Sequence, residues 1–287
     1  MPDPAVPSLR ATLDLEQIDE HYFRGVTLDD RSLRVFGGQV AGQALVAAGR
    51  TVPTDKSVHS LHAYFLRPGD PKIPIMYDVD VIRDGRSFAT RRVVAVQNGE
   101  AIFNLAASFH CNEPGLVHQA STLDSPQPDE LPPLSDLLTD ADPAVIAWHD
   151  DLYSRFPIEV KFVDGIPFFS DDEPPPARRR IWLRVSEPLG DDPLTHVCAA
   201  AYASDFFLLG SALAPHNLHF GRGNVMAVSL DHAMWFHQEF RADDWMLYDQ
   251  MGTWTGQGRG LARGQIFDQA GQLLATVTQE GLIRFMQ

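Results

Sequence analysis

Two kinds of hydrophobic pattern alternate along this chain. From Gly38 to Gly49 the sequence is almost wholly small or apolar, GQVAGQALVAAG, a run too long for an ordinary strand and therefore expected to be a buried helix. From Ile73 to Phe109 it becomes IPIMYDVDVIRDGRSFATRRVVAVQNGEAIFNLAASF, rich in alternation and β-branched residues, which predicts long strands. Arg83-Asp84-Gly85 and Gln97-Asn98-Gly99 mark hairpins, because glycine supplies the positive φ at which strands reverse. The same order recurs later: an apolar stretch from Val197 to Leu213 predicts a helix, and strand-like segments follow with a turn at Asp268-Gln269-Ala270-Gly271. A helix followed by an antiparallel meander implies a helix packed on a curved sheet.

The recurrence extends to individual residues. Gly42-Gln43-Ala44-Leu45 matches Gly210-Ser211-Ala212-Leu213 at an offset of 168, His62-Ala63 matches His232-Ala233 at 170, and Arg91 and Gly99 match Arg263 and Gly271 at 172. Constant order with a slowly drifting offset points to duplication. The expected architecture is α+β, a double hot-dog of two tandem repeats, each a helix on an antiparallel sheet. We delimit an N-terminal hot-dog domain at 1–115, a proline-rich acidic linker at 116–155 with a helix around Pro143 to Tyr153, and a C-terminal hot-dog domain at 156–287. A second loop, SDDEPPPARRR, interrupts the latter, and Arg178-Arg179-Arg180 is expected in it as a solvated basic run.

Composition narrows the functional classes. Apolar residues make 44% and charged residues 21%, which excludes global disorder. The net charge of -15 repels a phosphate backbone, so nucleic acid is not an expected partner. Cys111 and Cys198 form no CxxC pattern, which suits a reducing cytoplasm. The N-terminal MPDPAVPSLR does not read as a leader, and no apolar run is expected to approach the ~18 residues of a membrane helix, so a cytoplasmic location without a membrane span is expected.

Common catalytic motifs are missing. Gly85-Arg86-Ser87-Phe88-Ala89 has alanine where a nucleophile elbow ends in glycine, and the glycine run from Gly256 misses the last position of a dinucleotide fingerprint. His216 and His219 read as loop residues rather than metal ligands. Neither a metal nor an organic cofactor is expected.

Asp205 is the anomaly. It is the only charged residue between His196 and His216, and on a helix its neighbours Ala201, Tyr202, Leu208 and Leu209 offer no partner. A buried unpaired carboxylate is costly, so either partners come from elsewhere or Ser204-Asp205 caps a helix that starts later. Alternation in LLATVTQEGLIR puts Gln279 on the face of Ala275 and Val277, and in NVMAVSL it puts Ser229 with Val225 and Ala227. Each alone reads as a satisfied core polar group; three together would hold and activate one water.

VFGGQVAGQAL, VHSLHAYFLRPGD, RDGRSFATRRVVAVQNG, SDFFLLGSAL, SLDHAMWFH and TVTQEGLIR together resemble acyl-CoA thioesterase II, the bacterial TesB type, across nearly the whole chain. The resemblance implies acyl-CoA hydrolysis to fatty acid and CoA, with the family's catalytic aspartate, hydroxyl residue and glutamine falling on Asp205, Ser229 and Gln279. Serine departs from the threonine often found there. The resemblance also implies dimers or tetramers. For the oxyanion or substrate we mark Gly38 and Gln39 before the first helix and Arg91, from the basic set Arg83, Arg86, Arg91 and Arg92, for the anionic coenzyme. His59 and His62 are expected in the core or at an interface, and Phe206, Phe207 and Met226 read equally as the lining of an acyl channel or as plain core residues. At offset 168 the counterpart of Asp205 is Gly37, so one site per chain is expected, not two. The competing readings are a hot-dog enoyl-CoA hydratase, whose DxNPxH-like segment is missing, and a non-catalytic acyl-CoA-binding protein.

Overall fold

A computed structural model describes residues 6–28, 32–120, 124–139, 141, 143–166, 174–218 and 225–286. The first half contributes α1 (Leu9–Leu13), β1 (Glu16–Asp19), β2 (Tyr22–Gly25), α2 (Gly37–Gly49), β3 (Lys56–Phe65), β4 (Ile75–Asp84), β5 (Phe88–Gln97) and β6 (Glu100–Cys111). The connection carries α3 (Leu134–Leu138) and α4 (Pro143–Arg155). The second half contributes β7 (Ile158–Phe162), β8 (Arg178–Val185), α5 (Pro193–Ala203), α6 (Leu208–Leu213), β9 (Val225–Ser229), β10 (Asp231–Phe236), β11 (Met246–Gly256), β12 (Arg259–Phe267) and β13 (Leu273–Phe285).

The strands form one antiparallel sheet in the order β1-β2-β4-β5-β6-β3-β10-β13-β12-β11-β8-β7, with β9 beside β13. This order reads alike from both ends when β3 is matched with β10 and β6 with β13. At the seam, His62 pairs with Ala233 and Ala63 with His232. Exchanging the halves at an offset of 170 maps this register onto itself, so the matching His-Ala dipeptides lie at the centre of a double hot-dog. The β5–β6 turn has Asn98 at φ +51 and Gly99 at φ +78, as a tight hairpin requires.

Helix α2 is buried on nearly every face because the sheet lies on one side and α5 on another. Its small residues permit that approach: a Cβ on Gly42 would stand 3.0 Å from the Cys198 carbonyl oxygen. The helix expected over Val197 to Leu213 is instead two, α5 and α6, interrupted at Ser204 to Phe207. The stretch Pro193–His216 contains an 18-residue window of mean hydropathy 1.5, which corrects the expectation about apolar runs; 89% of that window is buried inside the protein, so it is a core segment.

Two loop expectations also change. The acidic connection straps the outer face of the second half: Trp182 Nε1 donates to the Pro126 carbonyl at 2.8 Å, and Gln119 exchanges hydrogen bonds with Gly271 and Leu273. Arg178, Arg179 and Arg180 lie on β8, where alternation turns Arg179 inward, 5% exposed, and pairs Arg178 with Asp249 and Arg180 with Asp164. His216 contacts Thr255 Oγ1 at 2.6 Å, and His219 lies outside the described residues.

Candidate active site

The break between α5 and α6 presents Asp205. Interrupting a helix leaves carbonyls without intrahelical partners, and the buried ones must find others. Strand β11 supplies two from adjacent inward positions: Tyr248 O–H donates to the Ser204 carbonyl at 2.8 Å, and Gln250 Nε2 donates to the Phe206 carbonyl at 2.7 Å. Ser204 Oγ donates to the Ala201 carbonyl at 2.9 Å. Phe207 then takes φ +63, a left-handed conformation uncommon for a bulky residue and held by the surrounding core.

Asp205 finds its partners in both halves. Oδ2 accepts the Gly38 backbone N–H at 2.9 Å, and Oδ1 accepts Gln279 Nε2 at 2.6 Å. The second Nε2 hydrogen of Gln279 goes to Ser229 Oγ at 2.9 Å. Gly38 lies in the first turn of α2, whose N-cap residue Phe36 makes no side-chain cap, so the carboxylate also meets the positive end of that helix. Gln279 is fully buried, and its Oε1 has no hydrogen-bond partner among the described residues. Gly37, the repeat counterpart of Asp205, faces it directly: a Cβ there would lie 2.7 Å from Asp205 Oδ2.

A cavity of about 310 Å³ opens onto this cluster, with Gly37 and Ser229 in its wall beside Val40, Phe65, Phe103 and Val228. Arg34 and Arg67 contribute its exposed cationic rim. The site thus joins a polar centre to an apolar chamber whose wall carries Arg34 and Arg67, the latter paired with Glu100 at 3.4 Å.

Several expected roles move. Arg91 is 1% exposed; its guanidinium binds Thr51 through Nε at 2.8 Å and Asp84 at 2.8 Å, so it braces the hairpin and does not reach a ligand. Its neighbour Arg92 points outward to Asp80, as alternation requires. The Gly38 N–H is engaged by Asp205, while the Gln39 N–H donates to the Phe36 carbonyl and its side chain to Thr27, which leaves neither as an oxyanion donor. Phe206 and Phe207 pack in the central core, Phe206 edge-on to Phe36 and Phe156, and with Met226 they are not in this cavity wall. His59 is half-buried against Ser108, and His62 is exposed edge-on to Trp235.

Sequence reasoning missed His232, which sits beneath the break. Ser204 donates to Ala201, so the hydroxyl oxygen accepts from His232 Nε2 at 2.8 Å. Burial pushes this imidazole below its ordinary pKa, with the nearby Asp205 and Asp231 charges pulling it upward. Tyr248 and Gln250 were also missed; their signal was two polar residues at strand spacing beside apolar Met246.

Fold and site together define a double hot-dog protein with a carboxylate-centred polar cluster at the junction of its halves. Residues 173–282 match the family model described as acyl-CoA thioesterase, and residues 28–110 match the acyl-CoA thioesterase N-terminal domain. Over 285 residues the chain is 43% identical to human acyl-coenzyme A thioesterase 8, covering 95% of this chain and 87% of that protein. It is 37% identical over 278 residues to acyl-CoA thioesterase 2 of Haemophilus influenzae, covering 96% of each. Acyl-CoA thioesterase II TesB2 of Mycobacterium marinum superposes with a TM-score of 0.79 at 42% identity, covering 98% of this chain and 99% of that one. The chain belongs to the acyl-CoA thioesterase family, and its general activity is thioester hydrolysis.

Proposed function

We propose that this enzyme hydrolyses fatty acyl-CoA to free fatty acid and CoA through a water activated by Asp205. The observation that carries this reading is the convergence of Asp205, Gln279 and Ser229 beside an apolar cavity. Gln279 donates to both neighbours, so Ser229 retains its own O–H and Gln279 retains a buried Oε1 with which to hold a water. Asp205 takes one proton as the water oxygen bonds to the thioester carbonyl carbon. Collapse of the tetrahedral intermediate breaks the carbon–sulfur bond, and the departing thiolate recovers the proton from Asp205. Halves 1–115 and 156–287, joined by 116–155, share this single site, since Gly38 of one holds Asp205 of the other. The exposed Arg34 and Arg67 suit the phosphates of the coenzyme. The enzyme acts in the cytoplasm, a reading supported by its two free thiols, and assembles as a homo-oligomer of two or four chains.

The test is release of free thiol from acyl-CoA substrates of graded chain length. Asp205→Asn is expected to reduce kcat about 10²–10⁴-fold, the usual worth of a general base. Undiminished turnover by this variant overturns the assignment of Asp205; no turnover of any chain length by the wild type overturns acyl-CoA as substrate.

A further inference from the structure

At the far end of β6 from the catalytic cavity, three different metal-binding groups converge. His110, Cys111 and Glu113 place a ring nitrogen, a thiol sulfur and a carboxylate oxygen all within 4.8 Å of one another, and this is the one such cluster among the described residues. Cys111 Sγ lies 3.4 Å from Glu113 Oε1, and His110 Nε2 lies 3.6 Å from Glu113 Oε2. Around a tetrahedral zinc ion, bonds of 2.0–2.3 Å separate neighbouring ligand atoms by roughly 3.3–3.5 Å. Both separations therefore need only small adjustment.

The surroundings fix these groups. The His110 ring stacks on Phe88 with centroids 4.2 Å apart, and His59 meets both rings edge-on. Ser87 Oγ donates to Glu113 Oε1 at 3.2 Å, while the Ser87 carbonyl accepts the Cys111 N–H at 3.0 Å, so one residue braces two of the three groups. All three groups border a cavity of about 470 Å³ whose wall also includes His237 and Phe240 from the second half.

We propose that His110, Cys111 and Glu113 bind a divalent ion of the zinc class in a three-ligand site whose fourth position opens into this cavity. Nitrogen, sulfur and oxygen donors in this combination suit a borderline-soft ion, and three protein ligands with one open position leave room for an exchangeable fourth. Binding converts the Cys111 thiol to a thiolate and releases its proton to solvent. The site is distinct from the Asp205 cluster: Phe103, in the catalytic cavity wall, and His110 are seven residues apart on one strand, about 23 Å at the rise of an extended chain.

The experiment is titration of the purified full chain with Co²⁺, which reports thiolate ligation as a charge-transfer absorption in the near ultraviolet, followed by displacement with Zn²⁺. One equivalent is expected to bind with that absorption, and Asp205→Asn is expected to bind equally. Cys111→Ser should abolish the absorption, His110→Ala should weaken binding strongly, and Ser87→Ala should weaken it about tenfold, the usual effect of removing a group that orients a ligand. Circular dichroism checks that each variant folds; because Cys111 is only partly buried, its serine variant is expected to keep the fold. No saturable binding by the wild type overturns the proposal, as does an absorption that survives in Cys111→Ser, which would place the metal at another thiol.

Discussion

The backbone N–H of Gly38 donates to Asp205 Oδ2 across 2.9 Å, joining the first turn of a helix in one half to the interrupted helix of the other. The preceding glycine is equally constrained. A Cβ at position 37 would approach the same oxygen to 2.7 Å and Phe65 to 3.0 Å. Gly37→Ala is therefore expected to displace the carboxylate and lower kcat by about 10² or more, comparable with losing the base, while thermal stability changes little. Gly38→Ala differs, because its Cβ would meet the Tyr202 carbonyl at 2.2 Å and force α2 and α5 apart. Activity and thermal unfolding measured in parallel separate the two: a Gly37→Ala enzyme with full turnover would remove the carboxylate contact from the mechanism.

Gln279 links the other two polar groups, and its variants should rank accordingly. Gln279→Leu leaves Asp205 Oδ1 and Ser229 without their shared donor, and Gln279→Glu adds a second carboxylate where a 2.6 Å contact now stands. Both should reduce kcat, the glutamate variant more severely at neutral pH and with partial recovery under acid, when one carboxyl holds the proton. Ser229→Thr keeps the hydroxyl and should retain most turnover; Ser229→Ala should fall at least about tenfold, from loss of one hydrogen bond to a charged network. Steady-state kinetics across pH provide the check, and equal activity of the alanine and threonine variants would exclude the hydroxyl.

The sequence was most informative where a pattern repeats. Alternation placed Gln279 on the inner face of β13 and put Arg91 and Arg92 on opposite faces of β5, and the two His-Ala dipeptides proved to pair at the seam. It was least informative where a residue's role depends on distant partners. Arg91 read as a ligand for an anion because nothing local shows Thr51 waiting beneath it. The apolar stretch from Val197 to Leu213 read as one helix because the groups that stabilise its break, Tyr248 and Gln250, lie more than forty positions away. Gly37, which only registered as the missing counterpart of Asp205, faces it directly: a Cβ there would stand 2.7 Å from Asp205 Oδ2, so a side chain at this repeat-related position would have to shift the carboxylate.

The broken helix gives a separable prediction. Tyr248→Phe removes one buried hydroxyl and leaves the Ser204 carbonyl without that donor, and Gln250→Leu does the same to the Phe206 carbonyl. Each should cost about 1–3 kcal/mol of stability, the penalty of an unsatisfied buried group. Each should also lower kcat more than it raises KM, because the break aims Asp205 while neither residue lines the cavity. Chemical denaturation together with a kcat and KM comparison tests this; a stability loss with unchanged kcat would make both residues purely structural.

His232 makes stability depend on pH in a definite direction. Burial lowers its folded-state pKa, against the pull of Asp205 and Asp231, whereas in the unfolded chain it titrates near 6.5. As pH falls through that value the unfolded state takes up protons first, so stability declines with acidification and is fully present only above about pH 7. His59 and His237 are lowered by burial as well and add to the same slope. Urea denaturation from pH 7.5 to 5 should show this decline, with His232→Gln flattening it by up to about 1.4 kcal/mol per pH unit, the limit for one proton. The flattening is the diagnostic quantity, because it stands apart from whatever constant stability the substitution removes. In the same variant Ser204 loses its imidazole partner one residue before Asp205, so turnover should fall. A slope identical to that of the wild type would show that His232 is protonated to the same extent in both states, and that burial at this position leaves the imidazole free to titrate.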